Sequence, residues 1–587
     1  MVVAALVSVD PIGWDHFGPI RWFLIPSLGF TAVAIQARSI VSQPDRFHYL
    51  WAGLIGWGLV ATAWAVDPVH AWIGTPDRRL GFLTWILFGA VFLAARLSSS
   101  HQRNTLVKAM ALGSVGLGLY TAAEWAGVAL DVGFAGGRLG GPFGQPAYLG
   151  AAAALITPIC VGVGIDSRSS AWWRAVGGLG ACGGVLALLA SQSRSAWFGA
   201  MVAGIVWIGL AIRRQPVRLR LAAMGAGVVV PMLVVGAVSP LRHRVTTVLG
   251  DRGGLAGRLD EWTVGASSLA ESPLIGFGPE GYRTVFGQFV TEQYAIDWGR
   301  YVITDRAHSG ILDVGLAFGV PGALAYLAIV VLVIRAALMA IGGDDLLLAG
   351  LGAGVGAYAI QLLFLFPLIE LDPVFWLAAG LLVPVRFANR TSMSQTTPQA
   401  MTGAVAYGLM AGLAVVAAVA GALDLVANRY LAQAVDATSP AQANQQISNA
   451  ADLRPDSIRY RFVAGRLARS QGELAMALAW VDDALRISPE DPALGGERAR
   501  LQLDMARSNR HGSEIELAQV VSSLRDLVDD DPYNPVYLQR LGVALALSGD
   551  LDGAAQAFEY AILLAPDRPE PRINLAEIRR LQQQGRD

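Results

Sequence analysis

Two arginines and one histidine are the residues of this chain best suited to chemistry. Arg194 lies in the segment Ser191–Trp197, between two long apolar runs, and Arg258 and His308 lie in a long polar loop of an otherwise hydrophobic region. Because a charge in hydrocarbon costs at least ~2.5–3.5 kcal/mol, fixed charges in such a chain gather at a membrane surface. Guanidinium groups bind phosphate oxygens through paired hydrogen bonds. The pattern therefore favours an anionic ligand held at a membrane surface, such as a lipid-linked diphosphate.

Each of the three residues also has a plainer interpretation. Arg194 is flanked by serines, which suggests a polar pocket, but an arginine at the end of an apolar run can also extend to the membrane interface. Arg258 can pair with Asp260 or Glu261 as an ordinary surface residue. His308 can cap a helix, or it can act as a base, since an ordinary histidine pKa near ~6.5 suits proton exchange at neutral pH. The residues alone leave these alternatives open.

Further candidates lie in two glycine-rich segments and beside His308. The segment Gly136–Tyr148 has the glycines and prolines of an irregular backbone that can approach a ligand, although an ordinary loop also explains it. The segment Gly276–Gly281 has the spacing G-x-G-x-x-G, but no strand precedes it and Pro279 interrupts it, so we interpret it as a turn and not as a dinucleotide-binding motif. The resulting candidates for substrate binding are Arg138, Arg306, Ser309 and Tyr282.

The composition is that of a membrane protein. Of the 587 residues, 54% are hydrophobic and 15% are charged. The net charge of −1 arises from segregated charges and gives no indication of nucleic-acid binding. Cys160 and Cys182 lie in apolar runs and form neither a disulfide framework nor a metal-ligand pattern. We therefore expect neither a metal nor another cofactor.

Apolar runs along the chain predict an all-α, polytopic fold. A bilayer core of ~30 Å requires about 20 apolar helical residues. By this criterion we predict twelve spans, at residues 18–37, 47–66, 80–97, 105–125, 146–165, 172–192, 195–213, 220–238, 320–341, 347–366, 374–387 and 402–426.

The positions of the basic residues predict the orientation, because short cytoplasmic loops are enriched in arginine and lysine. Four arginines crowd one loop at residues 213–220, and alternation of the spans places most other basic loops on the same side. We therefore expect a membrane domain over residues 1–426, whose large loop 239–307 lies outside the cytoplasm. The N-terminus and everything after residue 426 then fall on that outer side as well.

The apolar stretch 308–341 is too long for one span. A single helix of this length would measure ~51 Å at 1.5 Å per residue. The segment Gly319–Gly322 contains a proline, which favours a break. We therefore predict a short interfacial helix over residues 308–318 on the outer membrane surface, followed by a span. His308 and Ser309 would begin this helix, where unpaired amides face an incoming anion.

The chain after residue 426 has the pattern of tetratricopeptide repeats. Charged residues return, and four prolines are spaced 34, 43 and 34 residues apart, at Pro455, Pro489, Pro532 and Pro566. A period of 34 residues is typical of these repeats, and the longer interval indicates an insertion around residues 508–514. We predict an α-solenoid over residues 427–587, with a concave face for a protein partner.

At the residues named above, the chain resembles the O-antigen ligase and O-antigen polymerase superfamily of bacterial membrane glycosyltransferases. The similarity covers roughly residues 100–390, and appended tetratricopeptide repeats also occur in this family. Asparagine commonly follows the family's histidine, whereas Ser309 follows His308 here. The pieces that carry the resemblance occur in the family's order, at Arg138–Pro146, Ser193–Trp197, Gly257–Trp262, Ser272–Pro279 and Ala307–Gly322.

The resemblance implies a GT-C-like, metal-independent enzyme of cell-surface polysaccharide assembly. Such an enzyme moves glycan from an undecaprenyl-diphosphate carrier to an acceptor hydroxyl on the outer face of the bacterial cytoplasmic (inner) membrane. The family's essential arginines correspond to Arg194 and Arg258, which would hold the diphosphate, and its histidine corresponds to His308, which would receive the acceptor's proton. The acceptor is a lipid A core sugar in ligases, a second lipid-linked unit in polymerases, and a protein hydroxyl in a related branch.

Two other classes of protein share these features. A lipid-linked oligosaccharide transporter or flippase also needs many spans and internal cations, but it favours charges near the bilayer midplane and internal repeats among the spans. A non-catalytic scaffold would use the membrane domain only to display the repeats to polysaccharide-assembly partners. Formation of a covalent product separates both classes from a transferase.

Overall fold

The structure, a computed structural model, describes residues 1–42, 44–130, 137–211, 254–300, 303–384, 397–508 and 514–584. Over these segments the chain forms helices and connecting loops without a β-strand, which confirms the predicted all-α class. The helices of the membrane part are, in chain order, α1 (Val2–Val7), α2 (Gly18–Ser42), α3 (Arg46–Ala63), α4 (Pro68–Ile73), α5 (Phe82–Arg96), α6 (Ser100–Trp125), α7 (Pro146–Ile165), α8 (Ala171–Ser191), α9 (Arg194–Ala211), α10 (Leu255–Glu271), α11 (Tyr282–Phe289), α12 (Glu292–Trp298), α13 (Gly310–Ile341), α14 (Leu346–Gln361), α15 (Asp372–Leu382) and α16 (Thr397–Val435).

The structure does not confirm the expected twelve spans. Among the described residues, seven helices are long and apolar enough to cross a membrane, namely α2, α6, α7, α8, α9, α13 and α16. The apolar helices α5, α14 and α15 are shorter. The span expected at residues 220–238 lies outside the described residues. Glycines bring some of these helices into close contact: a Cβ at Gly118 of α6 would lie 2.4 Å from the Cα of Gly183 on α8.

The helices alternate in direction, so that the loops gather at two ends of the bundle. At one end, Arg96 bonds to Asp45, and Arg168 lies 2.8 Å from Asp345. At the other end, the loop before α2 meets α16, because the backbone N–H of Asp15 donates to the Asn428 side chain at 2.9 Å. We call this second end the repeat end, since α16 leaves the bundle there and enters the repeats.

A break divides α13, as the sequence indicated, at Gly319. Gly319 has φ 70° and ψ −179°, a conformation essentially confined to glycine. The indole N–H of Trp57 donates to the Phe318 carbonyl at 2.9 Å, which satisfies an acceptor freed by the break. The first part of α13 begins at Gly310, and its residues 313–319 are buried within the protein. α10 and the turn at residues 272–277 cover this part, and its expected position at the outer membrane surface stays a prediction.

The repeats continue directly from the membrane bundle. The boundary expected at residue 426 falls inside α16, a single helix of 39 residues. Consecutive antiparallel helices then stack on one another as an α-solenoid, consistent with the predicted tetratricopeptide architecture. These helices are α17 (Pro440–Leu453), α18 (Ile458–Ser470), α19 (Leu474–Leu485), α20 (Pro492–Ser508), α21 (Glu514–Asp530), α22 (Pro535–Leu547), α23 (Leu551–Leu564) and α24 (Pro569–Gln584).

The solenoid packs against the loop region between residues 254 and 307. Phe286 of α11 belongs to one apolar cluster together with Leu538 and Leu564 of the repeats. Ion pairs surround this cluster: Arg283 lies 2.5 Å from Asp491, and Arg300 bonds to Asp531. Apolar burial and buried ion pairs therefore fix the repeats against the repeat end of the bundle.

Candidate functional site

A cavity of about 560 Å³ lies at the repeat end of the bundle, where several helices begin or end. Its described walls combine cationic and aromatic side chains and include no acidic residue. The aromatic residues are Tyr148, Phe198, Phe364 and Phe366. The cationic or protonatable residues are Arg78, Arg138, Arg194, Arg258 and His308. The structure thus brings four of the residues selected from the sequence to one cavity and adds a fifth, Arg78.

Arg258 reaches the cavity from the first turn of α10, where the sequence indicated a helix. Its guanidinium donates to the Glu261 carboxylate at 2.5 Å, so the ion pair considered from the sequence is present. The pairing does not remove Arg258 from the cavity, because its side chain remains 21% exposed and lines the wall. The same Glu261 oxygen lies 3.5 Å from Nδ1 of His308. Glu261, which is not part of the cavity wall, therefore contacts both Arg258 and His308.

His308 precedes α13 in a backbone conformation with φ 54°. The Asp313 carboxylate accepts the backbone N–H groups of Ala307 at 2.8 Å and Ser309 at 3.1 Å, which holds this turn. These two amides are therefore not available to an incoming anion, contrary to the expectation from the helix N-terminus. Nδ1 of His308 lies 3.1 Å from the Arg306 carbonyl oxygen. Because a carbonyl only accepts, Nδ1 carries the proton and Nε2 has the free lone pair.

The neutral form of His308 is favoured in the cavity without substrate. Burial, together with the positive charge of Arg258, lowers the pKa of His308 to about 3. Asp305 acts in the opposite direction but does not outweigh these effects. The imidazole is therefore unprotonated at neutral pH and can receive a proton.

Arg194 and Arg138 line the cavity close to the junction between α8 and α9. Arg194 begins α9 directly after the turn at Gln192, which has φ 48°. Arg138 Nε donates to the Ser191 carbonyl at the end of α8, at 3.2 Å. The glycine-rich segment that carries Arg138 is held by the buried Glu124, whose carboxylate accepts the amides of Gly140 and Gly141 at 3.0 and 2.7 Å.

Arg78 is a cavity residue that the sequence analysis did not select. Its Nε lies 2.5 Å from the Asp305 carboxylate, and its Nη1 donates to the Tyr148 hydroxyl at 2.5 Å. Burial alone would raise the pKa of Asp305, but the Arg78 guanidinium lowers it to about 2. Arg78 also lies over the Phe366 ring, at 4.9 Å from its centroid. The available signal was two consecutive arginines in a short loop on the side predicted to be poor in basic residues.

Three of the expected substrate-binding residues lie outside the cavity wall. Arg306 is buried and pairs with Glu280 at 2.5 Å, and its guanidinium lies behind the wall residue Phe366, 5.7 Å from the ring centroid. Tyr282 is 3% exposed and packs in the apolar cluster beneath the repeats, which excludes sugar stacking in this conformation. Ser309 is the N-cap residue of α13; its backbone N–H donates to Asp313, and its side chain makes no capping hydrogen bond.

Comparison with known proteins finds a family similarity within the membrane part. Residues 179–327 match the family model described as O-antigen ligase. An O-antigen ligase domain therefore occupies this stretch, which confirms the predicted resemblance and contains Arg194, Arg258 and His308. No curated protein matches the chain. The family indicates a multi-pass membrane protein with a glycan-transferring, glycosyltransferase-like activity.

Two solved structures are similar to the chain at low identity. A part of MamA, from residue 41 to the end, from Desulfovibrio magneticus RS-1 is 15% identical, with 28% of this chain and 85% of that chain covered and a TM-score of 0.24. Yeast Tom70 is 13% identical, with 75% of this chain and 90% of that chain covered and a TM-score of 0.27.

Proposed function

We propose that the protein transfers glycan from an undecaprenyl-diphosphate-linked donor to an acceptor hydroxyl on the outer face of the bacterial cytoplasmic membrane. The observation that carries the proposal is the single cavity shared by Arg194, Arg258 and His308 within the O-antigen ligase domain. The cavity also favours a transferase over a transporter, because its arginines gather at one end of the bundle and not near the midplane.

The cavity suits a diphosphate attached to a lipid. Arg138, Arg194 and Arg258 supply guanidinium groups that bind phosphate oxygens and stabilise the charge that develops on the leaving diphosphate. Phe198 belongs to the cavity wall and is also 44% exposed on α9, a membrane-spanning helix. Its exposed surface would face lipid, so a prenyl chain could extend from the cavity into the bilayer.

His308 would act as the base. Its Nε2 takes the proton of the acceptor hydroxyl while the hydroxyl oxygen bonds to the anomeric carbon of the donor sugar. The bond from that carbon to the phosphate oxygen breaks, and its electron pair leaves with the diphosphate. Attack opposite the leaving group inverts the anomeric centre. A positioned base of this kind contributes typically ~10²–10⁴-fold to the rate.

The charge distribution supports the outer face as the location of the cavity. The end opposite the repeats holds Arg38, Arg96, Arg103 and Arg168, and cytoplasmic loops are enriched in such residues. The repeat end would then be extracytoplasmic, and with it the cavity and the repeat domain. Repeats at this position could bind a protein partner of polysaccharide assembly or a growing glycan. Ligation to lipid A, polymerisation and protein glycosylation all fit this arrangement.

The proposal is tested by replacing Arg194 and Arg258 with lysine and His308 with glutamine, one at a time. Transfer from a purified lipid-linked donor is measured in membranes by mass analysis of the product. Lysine keeps the charge but loses the paired hydrogen bonds, so we expect losses of at least ~10-fold, and ~10²-fold or more for His308→Gln. Arg335→Lys, on an exposed position near the other end of α13, is the matched control. Full activity of all three cavity variants would refute the proposal.

A further inference from the structure

The segment between α3 and α5 connects the cavity to the repeats. It contains the short helix α4 and a loop whose consecutive residues bond to three different parts of the molecule. Asp77 lies 2.8 Å from Arg459 of the repeats, Arg78 enters the cavity, and Arg79 lies 3.0 Å from Asp424 of α16. A movement of this loop relative to the repeats would therefore move Arg78 within the cavity.

The repeats hold this segment at two places. Arg459 of α18 donates to the Pro76 carbonyl at 2.7 Å and to the Asp77 carboxylate at 2.8 Å. The Arg459 side chain is 10% exposed, so its hydrogen bond to the Pro76 carbonyl is partly buried, whereas the Asp77 carboxylate is 74% exposed and this ion pair is open to water. The Ser488 hydroxyl donates to Asp67, just before α4, at 2.7 Å. Asp67 is 6% exposed, so this contact is also buried.

The membrane part holds the same loop from its other side. The Glu280 carboxylate accepts the backbone N–H of Leu80 at 2.8 Å and the Thr75 hydroxyl at 3.3 Å. Arg306 donates to that carboxylate at 2.5 Å and so fixes it in place. Arg78 therefore belongs to a loop that makes two sets of contacts. Thr75 and Leu80 bond to Glu280 of the membrane part, and Pro76 and Asp77 bond to Arg459 of the repeats.

We propose that the repeat domain is a structural part of the active site, in which Arg459 is a positioning residue for Arg78. This inference rests on the proposed function, since it concerns the same cavity. Arg78 supplies a further guanidinium for the diphosphate or the donor sugar. Displacement of a reactive group by ~1 Å can cost ~10²-fold in rate, so a loop of this kind has to be held from both sides. Glu280 and Arg459 provide the two supports.

The test is a double-mutant cycle on the full-length protein. The variants Arg459→Ala, Arg78→Ala and their combination are assayed in membranes over a range of lipid-linked donor concentrations. We expect each single change to reduce kcat/KM at least ~10-fold, and the double variant to be no worse than Arg78→Ala. Arg459→Lys, which can still donate to the Pro76 carbonyl, should recover part of the loss.

Arg498→Ala is the control, because it breaks a half-exposed ion pair within the repeats, with Asp482, and leaves the α4 loop bonded. It should change kcat/KM less than ~2-fold. If Arg459→Ala does not fold, Ser488→Ala, which removes one hydrogen bond to Asp67, takes its place in the cycle. Multiplicative losses in the double variant, or equal losses in the Arg498 control, would overturn the positioning role. Either result leaves the proposed function intact, which fails only if the Arg194, Arg258 and His308 variants stay active.

Discussion

His308 joins two features at the scale of single residues: a neutral imidazole and a fixed tautomer. The Arg306 carbonyl assigns the proton to Nδ1, and burial beside Arg258 keeps the ring unprotonated. A base with so low a pKa holds a proton weakly. A bound diphosphate would change this, because its negative charge favours the imidazolium. The substrate itself would therefore raise the basicity of the residue that deprotonates the acceptor.

Binding of a diphosphate is consequently expected to take up a proton at His308. The pKa of His308 is about 3 and should rise when the anion binds, so the affinity for the diphosphate should fall as pH rises through the pKa of the complex. Titration calorimetry with a soluble short-chain prenyl diphosphate, in buffers of different ionisation enthalpy at about pH 5 and about pH 7.5, measures the uptake. We expect it only at the lower pH, because His308 has to be unprotonated at neutral pH to act as the base. His308→Gln supplies the control, because it removes the ring but not the protonation of the ligand. Equal proton uptake by both proteins would contradict the assignment.

Of the residues selected from the sequence, Arg138, Arg194, Arg258 and His308 line one cavity, whereas Arg306, Ser309 and Tyr282 do not. Arg306 lies two positions before His308, yet the turn at His308 directs the Arg306 side chain to Glu280. Arg78 reaches the cavity through Asp305, 227 residues away in the chain. A local sequence pattern shows residue types and their spacing. The direction of a side chain at a turn, and contacts between residues more than 200 positions apart, depend on the tertiary fold.

At the scale of elements, the break in α13 was predicted within two residues, and its cause differs from the expected one. Pro321 lies in the first turn after the break, where its missing N–H costs little. The non-helical residue is Gly319, and the Leu274–Ile275 backbone packs against it. The span count is not confirmed, and apolar runs alone do not show where a helix ends. The run at residues 80–97 contains only the 15-residue α5, ~22 Å long.

Gly319→Ala should destabilise the protein by at least ~3 kcal/mol, because its backbone conformation is essentially confined to glycine. In addition, the new Cβ would lie 1.9 Å from the Leu274 carbonyl oxygen. The midpoint of thermal unfolding in detergent, followed by circular dichroism, measures the effect. Gly356→Ala is the control: it lies within α14 with no neighbouring atom within 4 Å, so alanine should be neutral or slightly stabilising. A Gly319→Ala protein as stable as the control would show that the break tolerates a side chain.

At the scale of the whole molecule, the membrane part and the repeats form a continuous structure. The change in composition near residue 426 suggested a boundary, but α16 carries Ala427 and Leu431 into the first apolar cluster of the repeats. Composition marks where lipid-facing residues end, whereas a helix continues for as long as its backbone hydrogen bonds do. The attachment of the solenoid to residues 254–307 depends on long-range pairs such as Arg300 and Asp531, which no local pattern indicates.

The pair Arg300–Asp531 gives a measure of how firmly the repeats are attached. The two side chains are 2% and 8% exposed, and Arg300 also lies 4.9 Å from the centroid of the Phe286 ring. Replacing Arg300 with methionine keeps the apolar contact but leaves Asp531 as a buried, uncompensated charge, which costs about 3–5 kcal/mol. We expect the variant to release the repeats, seen as faster limited proteolysis at residues 290–300 and at the repeats.

Adding Asp531→Asn to Arg300→Met should recover much of this loss, because the double variant no longer buries a lone charge. Arg498→Ala, which breaks a half-exposed ion pair within the repeats, should leave the proteolysis rate unchanged. If Arg300→Met alone digests at the wild-type rate, the ion pair does not hold the repeats, and apolar packing around Phe286 must be sufficient. If the double variant digests as fast as Arg300→Met, the loss comes from the missing guanidinium and not from the unpaired carboxylate.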